Sequence, residues 1–366
     1  MKIAIVHDWL NQKIGGAENV LFELTKMYPK ADIYTLIYNP DLFNKQLANR
    51  KVFTSVLNAF PGYLKRRPQL LLPFIMHAVK KWDFSGYDLV ISSSTAWVKN
   101  ITITGQAKHI CYCHSPARMI WDSWPSYLDK FKLGPLRRFY IIRLASKLRL
   151  WDYYQAQNGT IFIANSKYVA TRIKKFYHQQ AKVIYPPVKL AAPKTVVKKD
   201  DYYLIVSVLA KYKNIDLAVK AFMASGKKLV IAGNGPDAER LQAIASGSDN
   251  IEFVGRVNEQ TKQRLYTNAK AFVFCSVEDF GITMVEAISA GTPVIALRGG
   301  GANEIIHEGK TGVFYNEANE QSLNKSIMAY EKSPISKGSL QNDYIKMFDT
   351  NEFIQEINKV VAREFK

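Results

Sequence analysis

Glu278-Asp279-Phe280-Gly281-Ile282-Thr283-Met284-Val285-Glu286 sets two carboxylates eight positions apart, with a glycine between them. Upstream, the apolar run Ala271–Cys275 reads as a buried parallel strand. Downstream, Ile282–Ala290 reads as a helix that stops at Gly291-Thr292-Pro293. A strand, an acidic turn and a helix N-terminus therefore converge on one point. Free amides and the helix dipole there favour an anion such as a diphosphate, and Gly281 lets a ligand come close to the backbone. Glu278 lies in the turn. Glu286 lies about one helical turn further in, where its carboxylate can accept two hydrogen bonds from sugar hydroxyls. Two glutamates at this spacing arise by chance in many chains; the strand–turn–helix setting is what makes these two a candidate site.

Other candidates lie where strands end. His114 follows Ile110–Cys113, a position where a lone histidine is either structural or functional. His7 and Asp8 close the first strand and are expected to face the ligand crevice, where they would orient an acceptor. Gly15-Gly16 is either a tight turn or a loop laid against phosphate; at the mouth of an α/β sheet the phosphate role is the better fit. Cys111, Cys113 and Cys275 are too few for a disulfide scaffold and read as reduced core residues. No Asp-x-Asp-like metal motif is evident, and neither a metal nor a cofactor is expected.

The elements that must position these residues alternate between strand and helix. Strands are expected at Ile3–Val6, Asp32–Tyr38, Leu89–Ser92, His109–Cys113, Ile161–Ala164 and Lys182–Ile184, with a helix from Gly15 through Met27 after the first. Tyr185-Pro186-Pro187-Val188 and the lysine-rich stretch after it read as a linker over 185–200. A second series follows at Tyr203–Ser207, Lys228–Ala232, Ile251–Val254, Ala271–Cys275 and Pro293–Leu297. Gly299-Gly300-Gly301 then leads to a short helix at Asn303–His307. This predicts α/β architecture with two Rossmann-like, doubly wound domains facing a central cleft. Residues 1–197 would bind acceptor and 198–366 would bind the nucleotide-bearing ligand. An amphipathic helix over 351–365 would pack back on the first domain.

A chain of 366 residues is long enough for two cores. No apolar run approaches the length of a membrane span, and the N-terminus lacks the pattern of a signal peptide. A cytoplasmic protein is expected. Residues 1–197 carry 29 Lys and Arg against 10 Asp and Glu, whereas residues 198–366 carry 21 of each. The whole excess of +19 therefore lies in the first half, which suggests an anionic partner there, nucleic acid or an anionic membrane surface. No nucleic-acid motif accompanies the charge, so no nucleic-acid partner is expected. Tyr63–Met76 and Leu136–Trp151 mix basic, aromatic and apolar residues. Each reads as a membrane-surface element or as an amphipathic core helix with a solvated basic face.

These motifs together resemble the retaining glycosyltransferases of family 4, which have the GT-B fold. The resemblance is carried by Glu278–Glu286, Ala290-Gly291-Thr292-Pro293-Val294-Ile295-Ala296 and Gly299-Gly300. Val6-His7-Asp8-Trp9-Leu10, Gly15-Gly16-Ala17-Glu18, Asp83–Ser94 and Cys113–Asp122 are similar to the branch of O-antigen and exopolysaccharide mannosyltransferases. By this resemblance Glu278 contacts the donor sugar and Glu286 holds the nucleotide ribose. Amides of Phe280, Gly281, Ile282 and Thr283 cradle sugar and phosphate, and Gly15 and Gly16 lie against the diphosphate. His114 hydrogen-bonds the donor sugar near the reacting centre, and Gly255-Arg256-Val257 packs on the base. The family's Ser-Arg followed by a lysine clamps the diphosphate; here Lys213 matches, but Val208 stands where the arginine is expected. Valine cannot replace that planar bidentate fork, so either Lys211 reaches the phosphates or the pocket is weaker.

The resemblance implies retaining, metal-independent transfer of a hexosyl group, with mannosyl as one option. The donor is a nucleoside-diphosphate sugar and the acceptor a lipid-linked or growing cell-surface glycan, at the inner membrane face. Val208 motivates an alternative, a non-catalytic sugar-nucleotide-binding subunit of a glycan assembly complex.

Overall fold

Short apolar runs separated by amphipathic helices leave the chain one economical way to satisfy its strands: parallel sheets covered on both faces. The computed structural model describes residues 1–11, 15–47, 50–122, 134–190, 200–335 and 343–365. They form two compact units, Met1–Pro187 with Ile354–Lys366, and Val188–Phe353.

The first unit has a seven-stranded parallel sheet. Its strands are β1 (Ile3–Leu10), β2 (Asp32–Tyr38), β3 (Val52–Thr54), β4 (Leu89–Ser94), β5 (Lys108–Cys113), β6 (Ile161–Ala164) and β7 (Ala181–Val183). They are ordered β3-β2-β1-β4-β5-β6-β7. The second unit has six strands: β8 (Tyr203–Val206), β9 (Leu229–Ala232), β10 (Ile251–Gly255), β11 (Ala271–Phe274), β12 (Val294–Leu297) and β13 (Gly312–Tyr315). Their order is β10-β9-β8-β11-β12-β13. Each sheet reverses its winding once, between β1 and β4 and between β8 and β11. Outside the carboxyl ends of strands at such a reversal, open α/β sheets place their ligands.

Each unit has its own core. Val6, Val90, Trp97 and Trp151 are among the buried residues of the first, and Ile205, Val273 and Ile295 among those of the second. The three cysteines are buried free thiols. From Ile354 onward the helix Thr350–Glu364 belongs to the first unit, where Lys182 Nζ stands 2.6 Å from Glu356 Oε2 and Lys108 donates to the Glu364 carbonyl.

Some boundaries depart from expectation. β1 runs on to Leu10 rather than stopping at Val6, because the polar side chains of His7 and Asp8 are fully buried and hydrogen-bonded where they stand. β3 and β13 were not anticipated. Both are edge strands of three or four residues, too short for a periodic signal. The units divide at Pro187, within the expected linker, and the remainder of that linker, 191–199, lies outside the described residues.

The loop after β4 is set by buried charge. Asp8 has no exposed surface, and its carboxylate accepts from the amides of Thr95 (2.5 Å), Ala96 (2.9 Å), Trp97 (2.8 Å) and Val98 (2.9 Å) and from the Thr95 (3.0 Å) and Ser94 (3.4 Å) hydroxyls. The next residue, Lys99, is buried with its ammonium 2.7 Å from Asp152 Oδ1. Burial alone would lower the Lys99 pKa, but the adjoining Asp152 charge outweighs it and the pKa is raised. Asp152, on the helix Pro135–Gln155, also accepts from Asn100 (2.7 Å), Trp121 (2.8 Å) and Tyr177 (2.7 Å). Removing one member of such a pair strands the other in a low dielectric. Asp152→Ala is therefore expected to cost about 3–5 kcal/mol in urea unfolding, far more than an exposed substitution such as Asp201→Ala.

Candidate functional site

The second unit places its chemistry at the β8/β11 reversal. After β11 the chain turns through Ser276–Phe280, and Gly281 caps the helix Ile282–Ser289 with φ +106°, a conformation that favours glycine. A side chain there would also collide with Met284, whose Cε lies 2.3 Å from the Cβ position. Two further glycines fix the turn from outside. The Gly301 amide donates to the Glu278 carbonyl at 2.9 Å. A Cβ on Gly300 would sit 2.1 Å from the Glu278 carbonyl oxygen, and one on Gly301 would sit 2.1 Å from that of Phe280. The glycine-rich loop thus lets one backbone lie directly on another.

Glu278 accepts from Lys213 Nζ at 2.5 Å and from the Ser276 hydroxyl at 2.8 Å. Lys213 closes the short 3-10 turn after β8, so two residues 65 positions apart meet because their strands are neighbours. Glu286 accepts from Lys262 Nζ (2.8 Å) and the Tyr266 hydroxyl (3.0 Å). For Lys262, burial lowers the pKa, but the charge and hydrogen bond of Glu286 outweigh it and the pKa is raised. Sequence reasoning missed both Glu286 partners, although their i,i+4 spacing on the helix Glu259–Asn268 is a legible signal of a shared face. Gly255, Arg256 and Val257 lie at the end of β10, on the same carboxyl edge but two strands from β8. Val208 is 58% exposed in the loop after β8. Lys211, three residues on, is exposed as well.

The first unit places its chemistry at the β1/β4 reversal. His7 and Ser93 are register partners in adjacent strands, and His7 Nδ1 lies 3.1 Å from Ser93 Oγ. The same hydroxyl lies 2.9 Å from His114 Nε2. His7 Nε2 stands 3.7 Å from Glu18 Oε1, and the other Glu18 oxygen accepts from the Gly15 amide at 2.7 Å. Gly15, His7 and His114 are therefore joined through Glu18 and Ser93, neither of which was singled out in the sequence. The Gly15 amide is already engaged at the start of the helix Gly16–Met27. Asp8 is a correction: with no accessible surface and six hydrogen bonds from the β4 loop, its carboxylate organises the fold and is not open to an acceptor. His114 is held by backbone as well, donating from its amide to the Ser94 carbonyl (2.8 Å) and accepting at its own carbonyl from Asn165 (3.1 Å).

These features define a two-domain α/β protein of the GT-B class, with polar groups at the winding reversal of each sheet. A model for glycosyltransferase family 4 matches residues 14–192, and one for glycosyl transferases group 1 matches residues 189–347. An alpha-1,3/1,6-mannosyltransferase of Dictyostelium discoideum is 24% identical, covering 99% of this chain and 98% of its own. The O-antigen chain mannosyltransferase C of Escherichia coli is 32% identical over 30% of this chain and 31% of its own. Among solved structures, Anabaena Alr3699/HepE in complex with UDP superposes with TM-score 0.69 at 17% identity, over 99% of this chain and 100% of that one. Sucrose-phosphate synthase from Thermosynechococcus elongatus gives 0.72 at 16% identity, over 100% and 99%. The chain belongs to the family 4 glycosyltransferases, with the GT-B fold.

The electrostatics of the first unit make a pH prediction. Burial, followed by repulsion from His7, lowers His114 to about 3. Burial alone lowers His109 to about 3; its nitrogens meet the Ser92 (2.8 Å) and Thr160 (3.0 Å) hydroxyls. Both folded values lie below the ordinary imidazole value of about 6.5, so the unfolded chain binds more protons in between. Their contribution to stability is complete above about pH 6.5 and is lost as pH falls toward 3. Urea unfolding is expected to show lower stability at about pH 5 than at about pH 7.5, and His109→Asn is expected to flatten that slope. The second unit makes a steric prediction: Gly301→Ala must push the Glu278–Phe280 backbone aside, and is expected to weaken nucleotide protection in a thermal-shift assay.

Proposed function

We propose that the chain transfers a hexosyl group, mannosyl as in its named relatives, from a nucleoside-diphosphate sugar to a hydroxyl of a lipid-linked or growing cell-surface glycan. Transfer proceeds with retention and without a metal ion. One observation carries this reading: Lys213 and Glu278 sit together at the mouth of the β8/β11 reversal, beside the glycine-capped start of the helix Ile282–Ser289.

As the glycosidic bond breaks, negative charge grows on the departing diphosphate. The amides of Phe280, Gly281, Ile282 and Thr283, the helix dipole and the Lys213 ammonium supply fixed positive potential for it. Glu278 orients the sugar through its hydroxyls. Glu286 keeps lone pairs for the ribose after accepting from Lys262 and Tyr266. Gly15 and Gly16 meet the diphosphate, Gly255-Arg256-Val257 packs on the base, and His114 meets the donor sugar.

The acceptor side rests on the basic first unit. In the helix Pro135–Gln155, Leu136, Phe139, Tyr140 and Ile142 are exposed beside Arg137, Arg138 and Arg143. Tyr63, Leu70 and Phe74 are exposed near Arg66 and Arg67. We place these on an anionic membrane surface, where each cation contributes about 1 kcal/mol, with the protein peripheral at the inner, cytoplasmic face. Among the described residues no helix is long and apolar enough to cross a membrane.

The test is transfer from labelled nucleotide sugars to lipid-linked acceptors. Glu278→Gln and Lys213→Ala are each expected to reduce kcat by about 10²-fold or more while the fold is retained. Failure of the wild type to transfer or hydrolyse any donor would overturn the proposal. Donor binding without turnover would select the second reading, a sugar-nucleotide-binding subunit, which the solvent-facing Val208 favours.

A further inference from the structure

We propose that Glu18, His7 and Ser93 are positioning residues that fix the tautomer of His114, leaving its Nδ1 as a hydrogen-bond acceptor for a substrate hydroxyl. This rests on the reading of His114 as a contact to the donor sugar.

The order of donors follows from counting protons. Ser93 Oγ has a ring nitrogen on each side, His7 Nδ1 at 3.1 Å and His114 Nε2 at 2.9 Å. A hydroxyl carries one proton, so it donates to one ring and accepts from the other. Glu18 decides which. Burial would raise its pKa, but the neighbouring His7 ring and the Gly15 amide, which donates to it at 2.7 Å, outweigh that and hold it lowered, so it stays ionised. An ionised carboxylate only accepts. Its oxygen lies 3.7 Å from His7 Nε2, so His7 turns its N–H toward Glu18. In a neutral His7 ring, Nδ1 is then a bare lone pair and takes the Ser93 proton. The Ser93 oxygen in turn accepts from His114 Nε2–H. His114 is neutral, so its proton is spent on that bond and Nδ1 has none.

The consequence is selective. His114 is half-buried, and its Nδ1 forms no hydrogen bond within the described chain. A bare lone pair attracts the O–H of a sugar hydroxyl and repels a phosphate oxygen. The ring is thereby assigned to a hydroxyl of the transferred sugar, not to the diphosphate. Register supplies the rigidity: β1 and β4 are adjacent with His7 opposite Ser93, and the Ser94 carbonyl accepts from the His114 amide.

Nitrogen-15 NMR of the full chain at about pH 8, where an imidazole is ordinarily neutral, reads the tautomer directly. His114 is expected to show a pyrrole-like Nε2 and a pyridine-like Nδ1. Ser93→Ala is expected to mix the two forms and lower kcat/KM by about tenfold, chiefly through KM, and Ser93→Thr to restore both. Glu18→Gln, whose amide can donate to His7 Nε2, is expected to shift the tautomer with Ser93 intact. A protonated Nδ1 in the wild type, or tautomer populations unmoved by Ser93→Ala, would overturn the relay. An unchanged kcat/KM in a Ser93→Ala enzyme with a mixed tautomer would overturn its role in binding. The NMR readout needs no turnover, so a failure of the proposed activity is seen separately from a failure of the relay.

Discussion

Buried charge on either side of the β4 loop governs the first unit. Asp8 and Asp152 are both inaccessible, and a carboxylate in that position is tolerable only when its oxygens are filled. Asp8 is filled by the start of the Ser94–Asn100 stretch, and Asp152 by its end, through Lys99 and Asn100. The loop therefore has no freedom to slide relative to β1 or to the helix Pro135–Gln155. Ser93 sits one residue before it, and the Ser94 carbonyl receives the His114 amide. The placement of two histidines and a hydroxyl to within hydrogen-bond distance descends from charges that cannot be left unpaired.

The second unit reaches similar rigidity by leaving atoms out. Gly233 and Gly235 lie where any Cβ would overlap the carbonyls of Ser207 and Leu209, and Gly300 and Gly301 do the same for Glu278 and Phe280. Both loops that carry Lys213 and Glu278 are thus braced by a neighbouring turn at backbone contact. A ligand with a diphosphate needs amides presented without intervening side chains, and glycine serves bracing and presentation together. The two units illustrate alternative physical routes to a preorganised site: filled charges in one, close backbone approach in the other.

The sequence made some of this legible and not the rest. The paired glutamates were readable because strand, turn and helix each have a local signature, and the resulting helix begins at Ile282 as expected. The alternating strands were readable because buried parallel strands are continuous apolar runs. Edge strands β3 and β13 had too few residues to show a pattern. The Asp8 carboxylate looked available because a polar residue at a strand end commonly is; its six partners come from residues 94–98, which nothing local announces. Ser93 was hidden in Ser92-Ser93-Ser94, where only the β1–β4 register distinguishes the central serine from its neighbours. Lys99 and Asp152 meet across 53 positions for the same reason: tertiary pairing of charges has no sequence period.

Charge distribution links the two halves of the reading. Among the described residues of the second unit several cations are paired: Lys227 and Lys270 share Glu331, Arg240 meets Asp216 and Asp237, Arg298 meets Glu308, and Lys262 meets Glu286. Lys213 is likewise paired, with Glu278. On the proposed reading, an incoming diphosphate would compete for that ammonium, and the Glu278 carboxylate would lose a partner just where sugar hydroxyls arrive to replace it. Binding would then exchange one set of charge-assisted contacts for another and leave the carboxylate hydrogen-bonded, which limits the desolvation penalty of the exchange. Valine at position 208 fits this exchange less well, since it offers nothing to a second phosphate. On the proposed reading that demand therefore falls on Lys211, exposed two residues before Lys213 in the same turn, and on the amides at the head of the Ile282–Ser289 helix.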